Sequence, residues 1–267
     1  MSKALVQKQF GDKAEAYAKS AVHAKGNSLA RLRELLAVEP HWLGLDIATA
    51  AGHTAHTLAE GMQGFVVSDI TPQMLPKARD LATEKGITGI MPSAADAESL
   101  PFQDKSFDLV TCRIAPHHFP DIPRFVSEAA RVLKPGGRFA VVDNLVPSTG
   151  SRKKKDQVAF ANAAEYVNSF EKLRDPSHAA CLSLYAWKKL FALSGFAIVS
   201  SETMRKKMDF DPWADRMRVT PEDKIRLKSM LIQAPDVVKE FLTPQISGDR
   251  IEFYLTEGIL IGEKISD

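Results

Sequence analysis

The feature that most constrains this chain is an alternation between residues 42 and 146. Five short, nearly continuous apolar runs read as strands: 42–48 (WLGLDIA), 64–70 (GFVVSDI), 88–94 (TGIMPSA), 106–115 (SFDLVTCRIA) and 138–146 (RFAVVDNLV). Helical patterns lie between them. One starts at Gly52 and runs to Glu60, one runs from about Met74 to Lys85 with Pro72 just ahead, and one covers 122–137, stopped by Pro135 and two glycines. Strands that are apolar at nearly every position are covered on both faces, and a strand–helix rhythm makes the sheet parallel. Ligands on such sheets sit outside the carboxyl ends of the strands, so the residues following each strand are the first candidates for function.

The flanks follow another rhythm. Leu29, Leu32, Leu35 and Leu36 recur at helical spacing and Pro40 closes the run, so residues 1–40 read as a helical cap ahead of a core at 41–150. After 150, a helix is expected with Phe160, Ala164, Val167 and Phe170 on one side, its start at Lys153, Lys154 and Lys155 a solvated one. Residues 184–196 read as a helix ending at Gly195, followed by a strand (FAIVSSETM), a helical region at 220–243 and a last strand at 251–265. Residues 151–183 and roughly 205–243 are expected to be helical insertions that cover the site, within a third region, 151–267, that also completes the sheet.

Bulk properties exclude several classes. Net charge is +2 over 267 residues, so no overall field draws the chain to nucleic acid or an anionic membrane. No stretch approaches 18 consecutive apolar residues, and the first twenty lack the apolar core of a signal peptide. Two unclustered cysteines, Cys112 and Cys181, point to a reducing compartment and do not make a thiolate metal site. The expectation is a cytoplasmic protein with a small-molecule partner, with neither nucleic acid nor membrane span. The oligomeric state stays open, a homodimer among the alternatives.

Three acids stand at successive strand ends: Asp46, Asp69 and Asp96. Asp69 lies 17 residues beyond Gly52, near the ~20 typical of an acid that grips a ribose diol. The turn between Asp46 and the helix places Ala48, Ala50 and Gly52 where nucleotide-binding turns usually carry three glycines. In a dinucleotide site the second glycine lets the backbone approach the pyrophosphate. A methyl at Ala50 obstructs that approach. S-adenosylmethionine has a ribose and an adenine but no pyrophosphate, so this turn weighs against NAD and leaves that cofactor open.

The downstream motifs carry the argument further. The turn LDIATAAGH, the acid in VVSDITPQML, and the segments DAESLPF, SFDLVTCRIAPHHF and RVLKPGGRF together resemble the class I S-adenosylmethionine-dependent methyltransferases, in particular the branch containing the ubiquinone and menaquinone biosynthesis enzymes. The lead-in QFGDKAEAYAKSAVHAKG is similar to that group's as well. The resemblance implies a Rossmann-like, doubly wound α/β sheet of seven strands, mostly parallel with the last antiparallel, and helical lid insertions. It implies that Asp46 and the turn Ala48, Ala50, Gly52 face the methionine part, that Asp69 holds the ribose hydroxyls and that Ile70 packs on the adenine. It further implies that Asp96 accepts from the adenine amino group, that the Ala97 N–H reaches a ring nitrogen, that backbone near Arg113 accepts from the methionine ammonium, and that Tyr17 and His23 close over the cofactor. The departure from the family pattern is the alanine pair.

A base is needed only for an acceptor that arrives protonated, such as a phenol or carbon acid. Candidates are His117 and His118 after the fourth strand, Asp143 after the fifth, and His178 and Arg174 in the insertion, where Arg174 could pair with an anionic group. Each has a plainer reading: the paired histidines as caps of a turn, Asp175 before Pro176 as a turn residue, Cys112 as inert core. No third ligand is spaced near the histidine pair, so no metal is expected. The motif Asn/Asp-Pro-Pro-aromatic of amino-group methylases is replaced by CRIAPHHF, which favours carbon or oxygen methylation of a small, partly apolar acceptor. Two rival readings are a cofactor-binding protein that transfers no methyl and a nicotinamide oxidoreductase. The latter draws on the spacing of Tyr185 and Lys189, but lacks the glycine turn, and Lys172 stands thirteen residues before Tyr185 where a serine is usual.

Overall fold

The computed structural model describes residues 3–11 and 26–265. Two helices open the chain, α1 (Lys3–Gly11) and α2 (Asn27–Leu36). The alternating region then gives β1 (Leu43–Ile47), α3 (His53–Leu58), β2 (Gly64–Asp69), α4 (Met74–Glu84), β3 (Ile90–Ala94), β4 (Phe107–Arg113), a single 3₁₀ turn (Pro116–His118), α5 (Ile122–Val132) and β5 (Leu133–Asn144). The remainder gives α6 (Lys154–Arg174), α7 (Leu184–Leu193), β6 (Phe196–Asp209), α8 (Phe210–Asp215), α9 (Pro221–Ile232), α10 (Asp236–Leu242), β7 (Gln245–Ser247) and β8 (Arg250–Lys264).

The sheet runs β3-β2-β1-β4-β5-β8-β6, with short β7 paired antiparallel to β8 outside that path. Strands β1 to β5 pair in parallel, and the sheet is mixed, mostly parallel with one antiparallel strand. This is the Rossmann-like architecture implied by the motifs, with seven strands on the main path. Strand order reverses beside β1, whose neighbours are β2 and β4, so its carboxyl end is where a crevice opens.

The chain forms two compact units: Met1–Asp143 with Lys188–Glu202 and Ile259–Asp267, and Asn144–Trp187 with Thr203–Gly258. Along the chain the two units alternate, because β6 and β8 are long strands whose two ends belong to different units. In the first unit, Phe139 stacks on Phe191 at 5.0 Å and meets Phe125 and Phe196 at 5.6 and 5.3 Å, all four fully buried or nearly so. In the second, Phe170 stacks on Trp213 at 5.0 Å, and Phe253 stands edge-on to that indole at 5.0 Å.

One helix ends earlier than its pattern suggests. The expected helix 122–137 stops at Val132, and Leu133 already pairs with Phe107 of β4. Asp121 starts that helix by accepting from the Arg124 N–H at 2.9 Å. Its end is set by the sheet: LKPGG becomes the bulged entry to β5, with a register shift between Phe107 and Leu109. Gly137 fits there because a Cβ would lie 2.9 Å from the Lys134 carbonyl oxygen.

Candidate active site

The carboxyl ends of β1, β2, β4 and β5 carry the polar side chains that the sequence singles out. Asp46 is 1% exposed. Its two oxygens accept from the hydroxyls of Thr49 at 2.6 Å and Thr111 at 2.7 Å. Burial pushes its pKa up to about 6, against the pull of those two hydroxyls and the Arg113 guanidinium. Arg113 in turn donates from Nε to Thr54 at 3.1 Å.

The turn after β1 answers the question raised by its alanines. Ala48 and Ala50 both adopt left-handed backbone, with φ of 53° and 48°, and Gly52 has φ of 81°. The chain thus keeps the bend that glycine usually makes and accepts strain at two alanines. Gly52 could not be a third. A Cβ there would sit 2.7 Å from His56 Nε2, on a ring that is itself buried. The bend is tied to β2 at two points. The Thr49 N–H donates to the Ser68 carbonyl at 2.9 Å, and the Ala50 N–H to Asp69 Oδ2 at 3.0 Å. The other oxygen of Asp69 accepts from the Thr71 N–H at 2.8 Å. Burial raises the Asp69 pKa as well.

Helix α1 crosses the ends of β2 and β3 and reaches the turn after β4. Lys3 donates to Asp96 Oδ2 at 2.6 Å and forms an ion pair with Glu98 at 2.6 Å. Gln7 donates to the Ile70 carbonyl at 2.7 Å, and Phe10 stands edge-on to His118 with ring centroids 5.0 Å apart. Asp96 also accepts from the Glu98 N–H at 3.0 Å, forming a tight turn in which Ala97 is buried. Sequence reading missed Lys3, Gln7 and Phe10, whose helix is too polar to signal a docking face. Tyr17 and His23 lie outside the described residues.

At the β4 and β5 ends, His117 Nδ1 and Asp143 Oδ1 are 2.5 Å apart, both groups buried. The partner oxygen, Asp143 Oδ2, is buried with no hydrogen-bond partner among the described residues. The His118 ring lies 4.2 Å from that of His117. Because a carboxylate can only accept, Nδ1 carries the proton of neutral His117 and Nε2 is its basic nitrogen. Pro116 opens the single turn that presents both rings, and Ile114, with φ of 53°, bends the chain into it.

The remaining candidates belong to the second unit. His178 is 1% exposed, with Nε2 2.9 Å from Asn168 Oδ1. Arg174 lies over the Trp213 ring at 4.6 Å and donates to the Trp213 carbonyl at 3.1 Å. Asp175 makes the turn its sequence suggests, accepting from the Ser177 N–H and hydroxyl. Cys112 is core, its pKa raised by burial. Tyr185 and Lys189 are both exposed, Tyr185 to 70%.

A methyltransferase-domain family model matches residues 45–141. The uncharacterized methyltransferase YcgJ of Bacillus subtilis is 33% identical over 257 residues, 96% of this chain and 97% of that one. The chain belongs to the S-adenosylmethionine-dependent methyltransferases. Among solved structures, this methyltransferase superposes on the crystal structure of YcgJ with a TM-score of 0.82, at 31% identity, covering 90% of this chain and 99% of that one. The ubiquinone/menaquinone biosynthesis C-methyltransferase UbiE of Brucella anthropi is 32% identical over 158 residues, 51% of this chain and 60% of that enzyme. Family membership removes the nicotinamide rival and assigns the cofactor. The geometry fits that cofactor: the buried Asp69 carboxylate accepts the Ala50 and Thr71 N–H groups and the Thr71 hydroxyl, and of its roughly four acceptor sites one is left for a further hydroxyl at this edge. No described helix is long and apolar enough to cross a membrane.

Proposed function

We propose that this methyltransferase acts on carbon or oxygen of a small, partly apolar acceptor, with His117 as general base held by Asp143. The observation that carries the reading is the 2.5 Å contact between His117 Nδ1 and Asp143, beside the partnerless Oδ2. When bound, S-adenosylmethionine supplies an electrophilic methyl on a sulfonium that departs as a neutral thioether. Asp69 and Ile70 take the ribose and adenine face, and Asp96 and the Ala97 N–H the adenine edge. Asp46, the turn Ala48, Ala50 and Gly52, and the Arg113 backbone take the methionine part. The acceptor's proton passes to His117 Nε2 as its oxygen or carbon bonds to the methyl, and Asp143 stabilises the imidazolium. His178 and Arg174 act in this reading by holding the second unit together.

A free amine needs no such base, so a buried His–Asp pair favours an acceptor with a proton to lose. The name C-methyltransferase borne by the UbiE relative supports carbon among the two atoms. The two buried cysteines, neither of them in a disulfide among the described residues, fit a reducing compartment such as the cytoplasm. The test is release of S-adenosylhomocysteine by the purified chain against phenols, quinols, enols, amines and thiols. Turnover confined to amines or thiols, or undiminished in His117→Gln, would refute the assignment.

A further inference from the structure

Residues 148–160, all in the second unit, combine two features that the chemistry above leaves unused. The first is charge. Arg152, Lys153, Lys154 and Lys155 are four consecutive cations, all exposed, and among the described residues no ion pair joins any of them to a carboxylate. The one acid between Ser148 and Phe160 is Asp156, whose carboxylate is taken by the Ser151 hydroxyl at 2.5 Å. The whole chain carries a net charge of only +2, so this segment holds more positive charge than the entire molecule. It stands at the start of α6, where the positive end of the helix dipole adds to that field instead of offsetting it. The cations are presented on a fixed turn. Ser151 Oγ accepts the Lys153 N–H at 3.2 Å, Thr149 Oγ1 accepts the Ser151 N–H at 3.0 Å, and the Gln157 side-chain amide donates to the Ser151 carbonyl at 3.3 Å. A partner therefore meets an ordered backbone, with only side-chain rotamers left to lose.

The second feature is exposed hydrocarbon. Val158, one turn into α6, is 51% exposed. Ser148 and Phe160, the two ends of the segment, both line a cavity of about 350 Å³ in the second unit. Its lining is apolar, as at Leu145 and Phe241, apart from three hydroxyl residues and the Glu240 carboxylate. Cations beside hydrocarbon match an anionic bilayer, which offers phosphates at its surface and acyl chains beneath them. Nucleic acid matches only the cations. Its bases stack on exposed aromatic rings, and the one aromatic of this segment, Phe160, is half-buried against the cavity.

We propose that residues 148–160 dock this methyltransferase on the surface of an anionic phospholipid bilayer, with Arg152 to Lys155 among the headgroups and Val158 at the acyl boundary. The docking is peripheral and does not depend on which acceptor is methylated. The experiment is sedimentation of the full chain with vesicles of phosphatidylglycerol and phosphatidylcholine in equal parts, against vesicles of phosphatidylcholine alone, at low and high salt. The wild type sediments with the anionic vesicles and not with the neutral ones, and salt weakens the binding. Near such a surface each lysine is worth about five-fold in affinity, so Lys153→Gln, Lys154→Gln and Lys155→Gln together weaken binding on the order of 100-fold. Val158→Ser leaves the charge unchanged and weakens it about five-fold. Unchanged affinity for S-adenosylhomocysteine in each variant shows that the fold is intact. A single-stranded oligonucleotide serves as the counter-probe. No binding to anionic vesicles, equal binding to neutral ones, or a triple variant that binds like wild type overturns the proposal. Tighter binding to the oligonucleotide than to the vesicles, indifferent to Val158→Ser, assigns the patch to nucleic acid and overturns it as well.

Discussion

Replacing Ala48 and Ala50 by glycine should stabilise this protein, although the opposite is usual for Ala→Gly. Both alanines have left-handed φ, 53° and 48°. For an alanine this conformation costs about 1–2 kcal/mol, which glycine does not incur. Against it, glycine frees the unfolded chain by about 0.4–1 kcal/mol. The lost methyls are only half-buried, which costs about 0.4 kcal/mol each. The balance is a gain of about 0.4 kcal/mol per site and about 1 kcal/mol for the pair. For a chain of this length, that raises Tm by about 1–2 °C. The hydrogen bond from the Ala50 N–H to Asp69 survives the change, since it uses only backbone. Gly52→Ala should do the reverse. Its φ of 81° and the 2.7 Å approach of the new Cβ to His56 Nε2 add strain and overpacking, together about 2–4 kcal/mol of destabilisation. Urea unfolding followed by circular dichroism, on the double variant and on Gly52→Ala, reads both signs. A double variant less stable than wild type by more than about 0.5 kcal/mol would show that left-handed strain is not what distinguishes this turn.

Asp143→Asn should lower kcat by about 10²–10⁴-fold, and His117→Gln similarly, while S-adenosylhomocysteine binds as in wild type; a proportionate loss of cofactor affinity would argue for a merely structural pair. Thr111→Val removes a 2.7 Å donor from buried Asp46 and should cost about 2 kcal/mol at pH 7, less at pH 5 where Asp46 holds its own proton; an equal loss at both pH values counts against the shifted carboxyl. Burial holds the His56 pKa down to about 4, so the unfolded chain takes up that proton first, and stability is lost as pH falls from about 6.5 toward 4. His56→Gln should therefore gain on wild type over that window by on the order of 2 kcal/mol. Asp46, at about 6, has the opposite sign: the folded chain binds its proton first, so Asp46→Asn should lose ground to wild type as pH falls from 6 to 4. Urea midpoints at three pH values test both, and parallel curves for wild type and variants would reject them.

Much was legible in the residues alone. Apolar runs around Leu45, Val67, Val110 and Val141 read as strands buried on both faces because they are short, rich in β-branched and aromatic residues, and alternate with helical patterns. Acids directly after such strands had to stand at the ligand-binding edge of a parallel sheet, which located Asp46 and Asp69 before any coordinates. The plainer readings of Asp175 and Cys112 also match what the fold does with them. These are short-range properties, fixed by side-chain period and by strand-to-helix turns only a few residues long.

What the tertiary structure decided involves partners far apart in the chain. The end of α5 at Val132 depends on Phe107, which captures Leu133 into the sheet. The contact of His117 with Asp143 spans 26 residues, and that of Lys3 with Asp96 spans 93. His178 and Arg174 looked as available as His117, since a residue's type does not reveal its neighbours; in the fold they meet Asn168 and Trp213. Ala48 and Ala50 show the same division. The sequence said that two glycines were missing, and only the folded chain showed that the bend was kept regardless, tied to β2 by the Thr49 N–H on the Ser68 carbonyl and the Ala50 N–H on the Asp69 carboxylate, which offset the left-handed strain.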